Sequence, residues 1–330
     1  MPTSADGPTI ALLGDVMLGR KVAERLAGER PDRLWSSELA DLCRSCDAVV
    51  CNLECCVSER GSPTARIHRK PFFFRAPPAA TEALSAVGVS AVSLANNHAL
   101  DFEEEALVDT LEHLAAASIA WAGAGFDVER ARRGAVVPAG GLRLGLLAAT
   151  DHPDEFGALD DAPGVAFADL GAGLPEWIPA ELARLREEAD VVVAFPHWGP
   201  NMTSEPAPWQ RARASELIAA GADLVAGHSA HVFHGIEWVG ERAALYDLGG
   251  ALDDYAVDAR LRNDLGIAAL WHPRSEPEVE LVGLELRFCE TRLARGKAAE
   301  WIAARLERAC APLGTGVERV GEQLFAVVPP

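Results

Sequence analysis

The stretch VSAVSLANNHALD, residues 89–101, decides how the chain is read. Its first half is a short apolar run rich in β-branched and small residues, bounded by Gly88 and by an Asn-Asn-His cluster. That pattern predicts a buried strand, Val89–Ala95, whose carboxyl end delivers Asn96, Asn97 and His98. The same arrangement recurs along the chain. Predicted strands Thr9–Gly14, Asp47–Leu53, Leu142–Ala149, Asp190–Phe195 and Asp223–Ala226 run into Asp15, Glu54, Asp151 with His152, His197, and His228 with His231 and His234. Helix-period segments lie between them: Leu34–Cys46, Ala79–Val87, Glu103–Ala117, Glu176–Glu188 and Ala207–Ala220. Alternating β and α segments imply an α/β fold, with a largely buried parallel sheet and helices on its faces.

Later segments alternate more like antiparallel strands: Arg242–Tyr246, Ile267–His272, Val279–Phe288 and Gln323–Val328. The organisation expected is a catalytic domain over residues 1–272 and a small β-α-β annex over 273–330 around a helix at Lys297–Ala311, packed on the same core. The Pro/Gly/Asp-rich stretch Asp151–Pro179 reads as a surface crossing between the two halves.

In an open α/β sheet the carboxyl ends of parallel strands converge on one edge, where ligands bind. Asp, Glu, Asn and His arriving there together suit one or two divalent ions, with Zn, Mn, Fe and Ca not distinguished by the donor set. The alternative is a hydrogen-bonded polar rim, since a lone strand-end Asp or Asn often caps a helix.

The surrounding charge narrows the partners. With 30 Lys+Arg against 49 Asp+Glu, the net charge of −19 opposes nucleic acid and anionic membrane. No stretch reaches the ~20 apolar residues of a membrane span. The first 20 residues lack a basic region and carry Asp15 inside their apolar run, which does not read as a signal peptide. Seven cysteines, an odd number, point to reduced thiols and a cytoplasmic protein. Cys43, Cys46, Cys51, Cys55 and Cys56 read as buried thiols, because no second C-x-x-C completes a four-ligand site.

Gly14-Asp15-Val16-Met17, Asn52-Leu53-Glu54, Ala95-Asn96-Asn97-His98 with Asp101, His197-Trp198-Gly199 and Gly227-His228-x-x-His231 resemble the CapA-type (poly-γ-glutamate capsule biosynthesis) proteins, a branch of the calcineurin-like metallophosphoesterases. The resemblance implies a layered αββα fold with a metal site at the strand ends. It implies Asp15 and His231 on one metal, Asn97, His197 and His228 on the other, and Glu54 in the bridging place. His98 matches the histidine that serves as acid or transition-state donor. The histidine that follows the first Asp in ordinary phosphoesterases is Met17 here, the final His pair is spaced i,i+3, and Gly250 replaces a common Asn, which leaves one metal ligand-poor.

Asp101 and His152 complete the expected acid/base set with His98, and Asp151 supports His152. His234 is expected to orient His231. The run Arg60–Arg75 has no acidic residue, and its Arg69 and Lys70, with Arg20, would grip an acidic substrate. Trp198 would wall the pocket, Phe72–Phe74 reads as a buried strand, and His68, His113 and His272 read as surface.

Two reactions fit. One is metal-assisted abstraction of a Cα proton, inverting the C-terminal residue of a peptide, as in CapA-like enzymes recruited to peptide natural-product maturation. The other is hydrolysis of a γ-glutamyl amide or phosphoester. A third reading is a silent metal-containing peptide-binding protein. The expected partners are a peptide or acidic small molecule, with or without a precursor-peptide recognition protein.

Overall fold

In the computed structural model, residues 7–28, 30–275 and 278–329 are described. Residues 1–6, part of the stretch read as lacking a signal peptide, lie outside them. Ile10–Val16 is buried at every position, because it has a strand on each side. It runs parallel to Ala48–Leu53 and antiparallel to Leu265–Trp271. Parallel pairing continues through Ala91–Ser93 to Ala120–Ala122. On the other flank the sheet extends through Val279–Arg287, Leu324–Val328 and Gly316–Arg319. Residues 279–328 therefore continue the first sheet, with Val279–Arg287 paired to Leu265–Trp271 over seven residues.

A second sheet holds Leu142–Thr150, Val191–His197, Leu224–Ala226 and Arg242–Leu245 in parallel, with antiparallel edges at Ala135–Ala139 and Ile236–Val239. Strand alternation explains the layers. Ile10 and Leu12 meet Leu144, Leu146, Val193 and Phe195 in a core between the sheets. Their neighbours Ala11 and Leu13 point outward to the helices Ser37–Arg44, Ala80–Ala86 and Glu103–Ala116. On the far side Val192 and Ala194 pack under Trp177–Glu188 and Pro208–Ala219. The architecture is the layered αββα expected. Helix Lys297–Cys310 sends Ile302, Leu306 and Cys310 into the inter-sheet core.

Three local expectations need correction. Phe72–Phe74 forms no strand: Phe72 is 54% exposed, and only Arg75–Ala76 pairs, with Cys56–Val57. The segment Leu34–Cys46 divides at Ser36, whose hydroxyl accepts the Leu39 N–H and starts a helix at Ser37. His272 is fully buried, set between Thr9 Oγ1 at 3.1 Å and Glu280 Oε2 at 3.2 Å. Among the described residues no helix is long and apolar enough to cross a membrane.

One backbone feature prepares the site. The register of Ile10–Val16 against Ala48–Leu53 shifts between Leu12 and Asp15, and Asp15 N–H then donates to Gly249 O at 3.1 Å. The close approach needs a glycine: a Cβ on Gly14 would lie 1.9 Å from Gly249 O. Gly14→Ala is expected to destabilise by about 2 kcal/mol or more. It should also displace Asp15, so denaturant unfolding and metal content should fall together. An unchanged unfolding midpoint would show that this approach is not constraining.

Candidate metal centre

Asp15 ends its strand almost fully buried, 2% exposed, where a lone carboxylate could not stay charged. Donors converge on it from both sheets. Asn52 Nδ2 donates to Oδ1 at 2.8 Å and Ser229 N–H to Oδ2 at 3.3 Å. His228 Nδ1 lies 3.4 Å from Oδ1, His197 Nδ1 3.8 Å from Oδ1, and His231 Nδ1 3.0 Å from Oδ2. Burial pushes the Asp15 carboxyl up, but His228 and His231 outweigh it and hold it well below the usual range.

Two groups have the spacing to hold a cation: Asp15 with His197 and His228, and Asp15 with Glu54 and His231. Within each, the candidate ligand atoms lie within 4.8 Å of one another. Asp15 belongs to both, whereas the bridging place implied by the resemblance was that of Glu54. The donor set fits divalent ions for a second reason. Glu54 Oε1, Asn97 Oδ1, His197 Nε2 and His228 Nε2 are buried with no hydrogen-bond partner among the described residues. Burial raises the Glu54 carboxyl well above its ordinary value, with His231 opposing. His231 itself is pushed up to about 10, since Glu54 and Asp15 overcome its burial.

The strand-end residues are held by their neighbours. Asn96 Nδ2 donates to Asn52 Oδ1 at 3.0 Å and to Leu53 O at 2.9 Å, and its Oδ1 accepts the His98 N–H. His98 Nδ1 meets Asp101 Oδ2 at 2.5 Å, and Phe74 stacks on the imidazole with centroids 3.9 Å apart. Burial, reinforced by Lys70, holds the His98 pKa well below normal. Burial pushes the Asp101 carboxyl up to about 7, although Lys70 and the Phe74 N–H pull it down. His152 pairs with Asp151, whose Oδ2 accepts the Gly199 N–H at 3.0 Å, and the His152 ring lies 5.2 Å from that of His197.

The basic island is mostly engaged elsewhere. Arg60 pairs with Asp109 and Arg66 with Glu103 and Glu104, while Arg75 lies over Phe102. Lys70 does enter the site, 3.1 Å from Asp101 Oδ1 and 2.8 Å from Asn97 O. Arg69 stays exposed at positive φ. Arg20 lies 5.5 Å over Phe72 and pairs with Asp254 at 3.3 Å.

Two expectations fail. Trp198 does not wall the pocket: it is fully buried in the cluster behind the second sheet, and its indole N–H donates to Tyr246 O at 2.9 Å. His234 turns from His231 to Thr203, 3.2 Å from its carbonyl. Sequence reading also missed Tyr255, whose hydroxyl donates to Glu54 Oε2 at 3.3 Å and whose ring stands edge-on to His231. Asp253, buried near His231 and pushed up to about 6 by burial, was missed as well. Neither has a local motif. All seven cysteines are free, and the cation-holding groups found among the described residues contain none of them. Burial raises the Cys43, Cys46 and Cys55 thiols to about 12.

A sequence family described as "Bacterial capsule synthesis protein PGA_cap" matches residues 9–255, the span that carries every group of this centre. The chain belongs to the PGA_cap family. Among the relatives of this chain is a "probable polyglutamine synthesis accessory protein" of Mycobacterium tuberculosis, 32% identical over all of this chain and 98% of that one. The "PGA biosynthesis protein CapA" of Bacillus subtilis is 27% identical over 76% of this chain and 64% of its own length. The "Capsule biosynthesis protein CapA" of Bacillus anthracis is 25% identical over 74% of this chain and 60% of its own. Among solved structures, a hypothetical protein from Thermus thermophilus covers 86% of this chain and 95% of its own, with a TM-score of 0.41 and 16% identity.

Elemental analysis of this PGA_cap chain is expected to find one or two divalent ions per molecule. Asp15→Ala should lose all bound metal, while Glu54→Gln should keep the ion of the His197–His228 group. Equal metal content in wild type and Asp15→Ala would refute the centre.

Proposed function

We propose that the chain is a metal-dependent enzyme that exchanges the Cα proton of the C-terminal residue of an acidic peptide, and so inverts it. The observation that carries this reading is a pair of His–Asp couples that meet the two ligand groups separately. His152, with Asp151, borders His197. His98, with Asp101, is linked through the rings of Phe74 and Tyr255 to His231 and Glu54. Inversion needs two proton-transfer groups on opposite faces of one carbon, and two such couples supply them.

Asp101 takes the Nδ1 side of His98, which leaves Nε2 to exchange a proton, and burial keeps that imidazole neutral, with a lone pair free to accept one. One histidine accepts the proton as the Cα–H bond breaks, and the other delivers its own to the opposite face. A divalent ion bound by Asp15, Glu54 and the histidines would neutralise the substrate carboxylate and acidify the Cα–H. Lys70, 7% exposed at its side chain, gives the acidic substrate a fixed positive neighbour. The names of two relatives, one for polyglutamine synthesis and one for PGA biosynthesis, support a peptide chain as substrate.

Hydrolysis of a γ-glutamyl amide is the second reading, favoured by the place of Asp15 in both cation-holding groups, an arrangement suited to activating water. Incubation with glutamyl peptides in D2O, with Mn, Zn, Fe and Ca supplied in turn, separates the readings. A gain of one deuterium without cleavage is expected, and a shortened peptide would transfer the assignment to hydrolysis. Substrate left unchanged with every ion would overturn both and leave a peptide-binding role.

His98→Ala should slow exchange by about 10²–10⁴-fold. Lys70→Met should raise KM while the exposed Arg69→Ala does not; equal effects would remove Lys70 from the substrate site.

A further inference from the structure

Outside the metal centre, the described residues line an open cavity of about 350 Å³ between the end of helix Lys297–Cys310 and the loop after Val191–His197, formed among others by Ser204, Arg211, Gly235, Arg305 and Arg308. Its charge is out of keeping with a protein of net charge −19. Arg305 is 8% exposed, and its Nε and Nη2 both donate to the Phe233 carbonyl, at 3.1 and 2.9 Å. Among the described residues no carboxylate lies within ion-pair distance of it. Its guanidinium is set against the rings of Phe233 and Trp301, 4.9 and 5.4 Å from their centroids. Arg308, one turn on, is exposed and also without an acidic partner among the described residues. Arg211 is matched by Glu237, and exposed Glu205 stands at the rim.

A buried cation is ordinarily paired, because removing it from water costs several kcal/mol that only an opposite charge recovers. Burial and then Arg308 lower the Arg305 pKa to about 10, opposed by the charge of Asp247, which forms no ion pair with it among the described residues. We propose that this cavity is an anion-binding site, in which Arg305 and Arg308 take the carboxylate or phosphate group of a small anion or of a glutamyl chain. A guanidinium fork suits either oxyanion, and the volume admits one or two residues or a small polycarboxylate.

The cavity also backs onto the metal-ligand segment. Arg305 fixes the carbonyl of Phe233, which stands between His231 and His234. Met202 N–H donates to Ala230 O at 2.9 Å, Asn201 Nδ2 lies 3.5 Å from His231 Nε2, and Thr203 contacts His234, all in the loop that continues into Ser204. An anion there would brace the loop and the His228–His234 segment together. The site rests on the cavity and its arginines, independently of the proposed reaction.

Calorimetric titration of the full chain with inorganic phosphate, citrate and a γ-glutamyl trimer tests it. Binding stronger than about 1 mM is expected for at least one of them. Arg308→Ala should weaken it about tenfold without shifting the unfolding midpoint, and Lys70→Ala should leave this binding intact. A trimer that binds about tenfold tighter than citrate and phosphate assigns the site to a glutamyl chain, and the reverse order assigns it to a free anion. Arg305→Lys, if folded, should weaken binding as well; should it unfold, the exposed Arg308 variant decides alone. No binding by the intact chain, or equal affinity in Arg308→Ala, overturns the site while the deuterium-exchange result stands unaffected.

Discussion

Asp15 carries its charge where water does not reach, and the surrounding architecture answers that constraint. A buried carboxylate is tolerated only when several donors or cations surround it. Asn52 comes from the neighbouring strand of the same sheet. His197, His228, Ser229 and His231 come from the second sheet or the loop after it. The two sheets are therefore joined at one edge by charge and in the middle by apolar packing. His197 and His228 are brought together by a backbone bridge between their own residues, so the two imidazoles arrive as a unit. The register shift at Gly14 aims Asp15 at them. If the strand ran straight, its alternation would place the carboxylate elsewhere.

The same logic governs the charged surface. A run of five basic residues in an acidic protein looks like a substrate grip, but acidic side chains of the helix Glu103–Ala116 neutralise Arg60 and Arg66. What remains for the site is Lys70, the member of the run whose side chain is almost buried. A charge desolvated beside Asp101 and His98 exerts far more local influence than exposed ones screened by solvent.

The sequence shows the fold and the convergence of polar strand ends clearly because both are written in consecutive residues. Apolar runs end in polar donors, and parallel strands bring such ends together. Asn52 and Glu54, two apart, stay near the same edge, and that too is a matter of period two. The same rule explains Trp198. A residue adjacent to the inward His197 is turned to the opposite face, under the outer helices. What the sequence conceals depends on long-range packing. Tyr255 reaches Glu54 across 201 positions, and His272 is buried by Glu280 and Thr9, neither visible as a pattern. His234 follows His231 by three residues, yet the turn sends it to Thr203. Spacing alone does not say which way a side chain in an irregular segment points.

The two cation-holding groups are unequal, and Met17 shows why. The position that supplies a histidine in ordinary phosphoesterases is filled here by a side chain buried in the core beneath the outer helices, whose sulfur accepts the Gly19 N–H at 3.0 Å. It is turned away from Asp15, so no ligand is lost to solvent; the position simply belongs to the hydrophobic layer. The group of Asp15, Glu54 and His231 thus has one imidazole beside two carboxylates, and Glu54 is shared with Tyr255. The group of Asp15, His197 and His228 has two imidazoles. A nitrogen-rich set binds borderline transition ions more firmly than an oxygen-rich one. On the proposed reading the second group therefore keeps its ion, while the first, poorer in nitrogen and bordered by the His98 couple through Phe74 and Tyr255, is the one open to a substrate carboxylate.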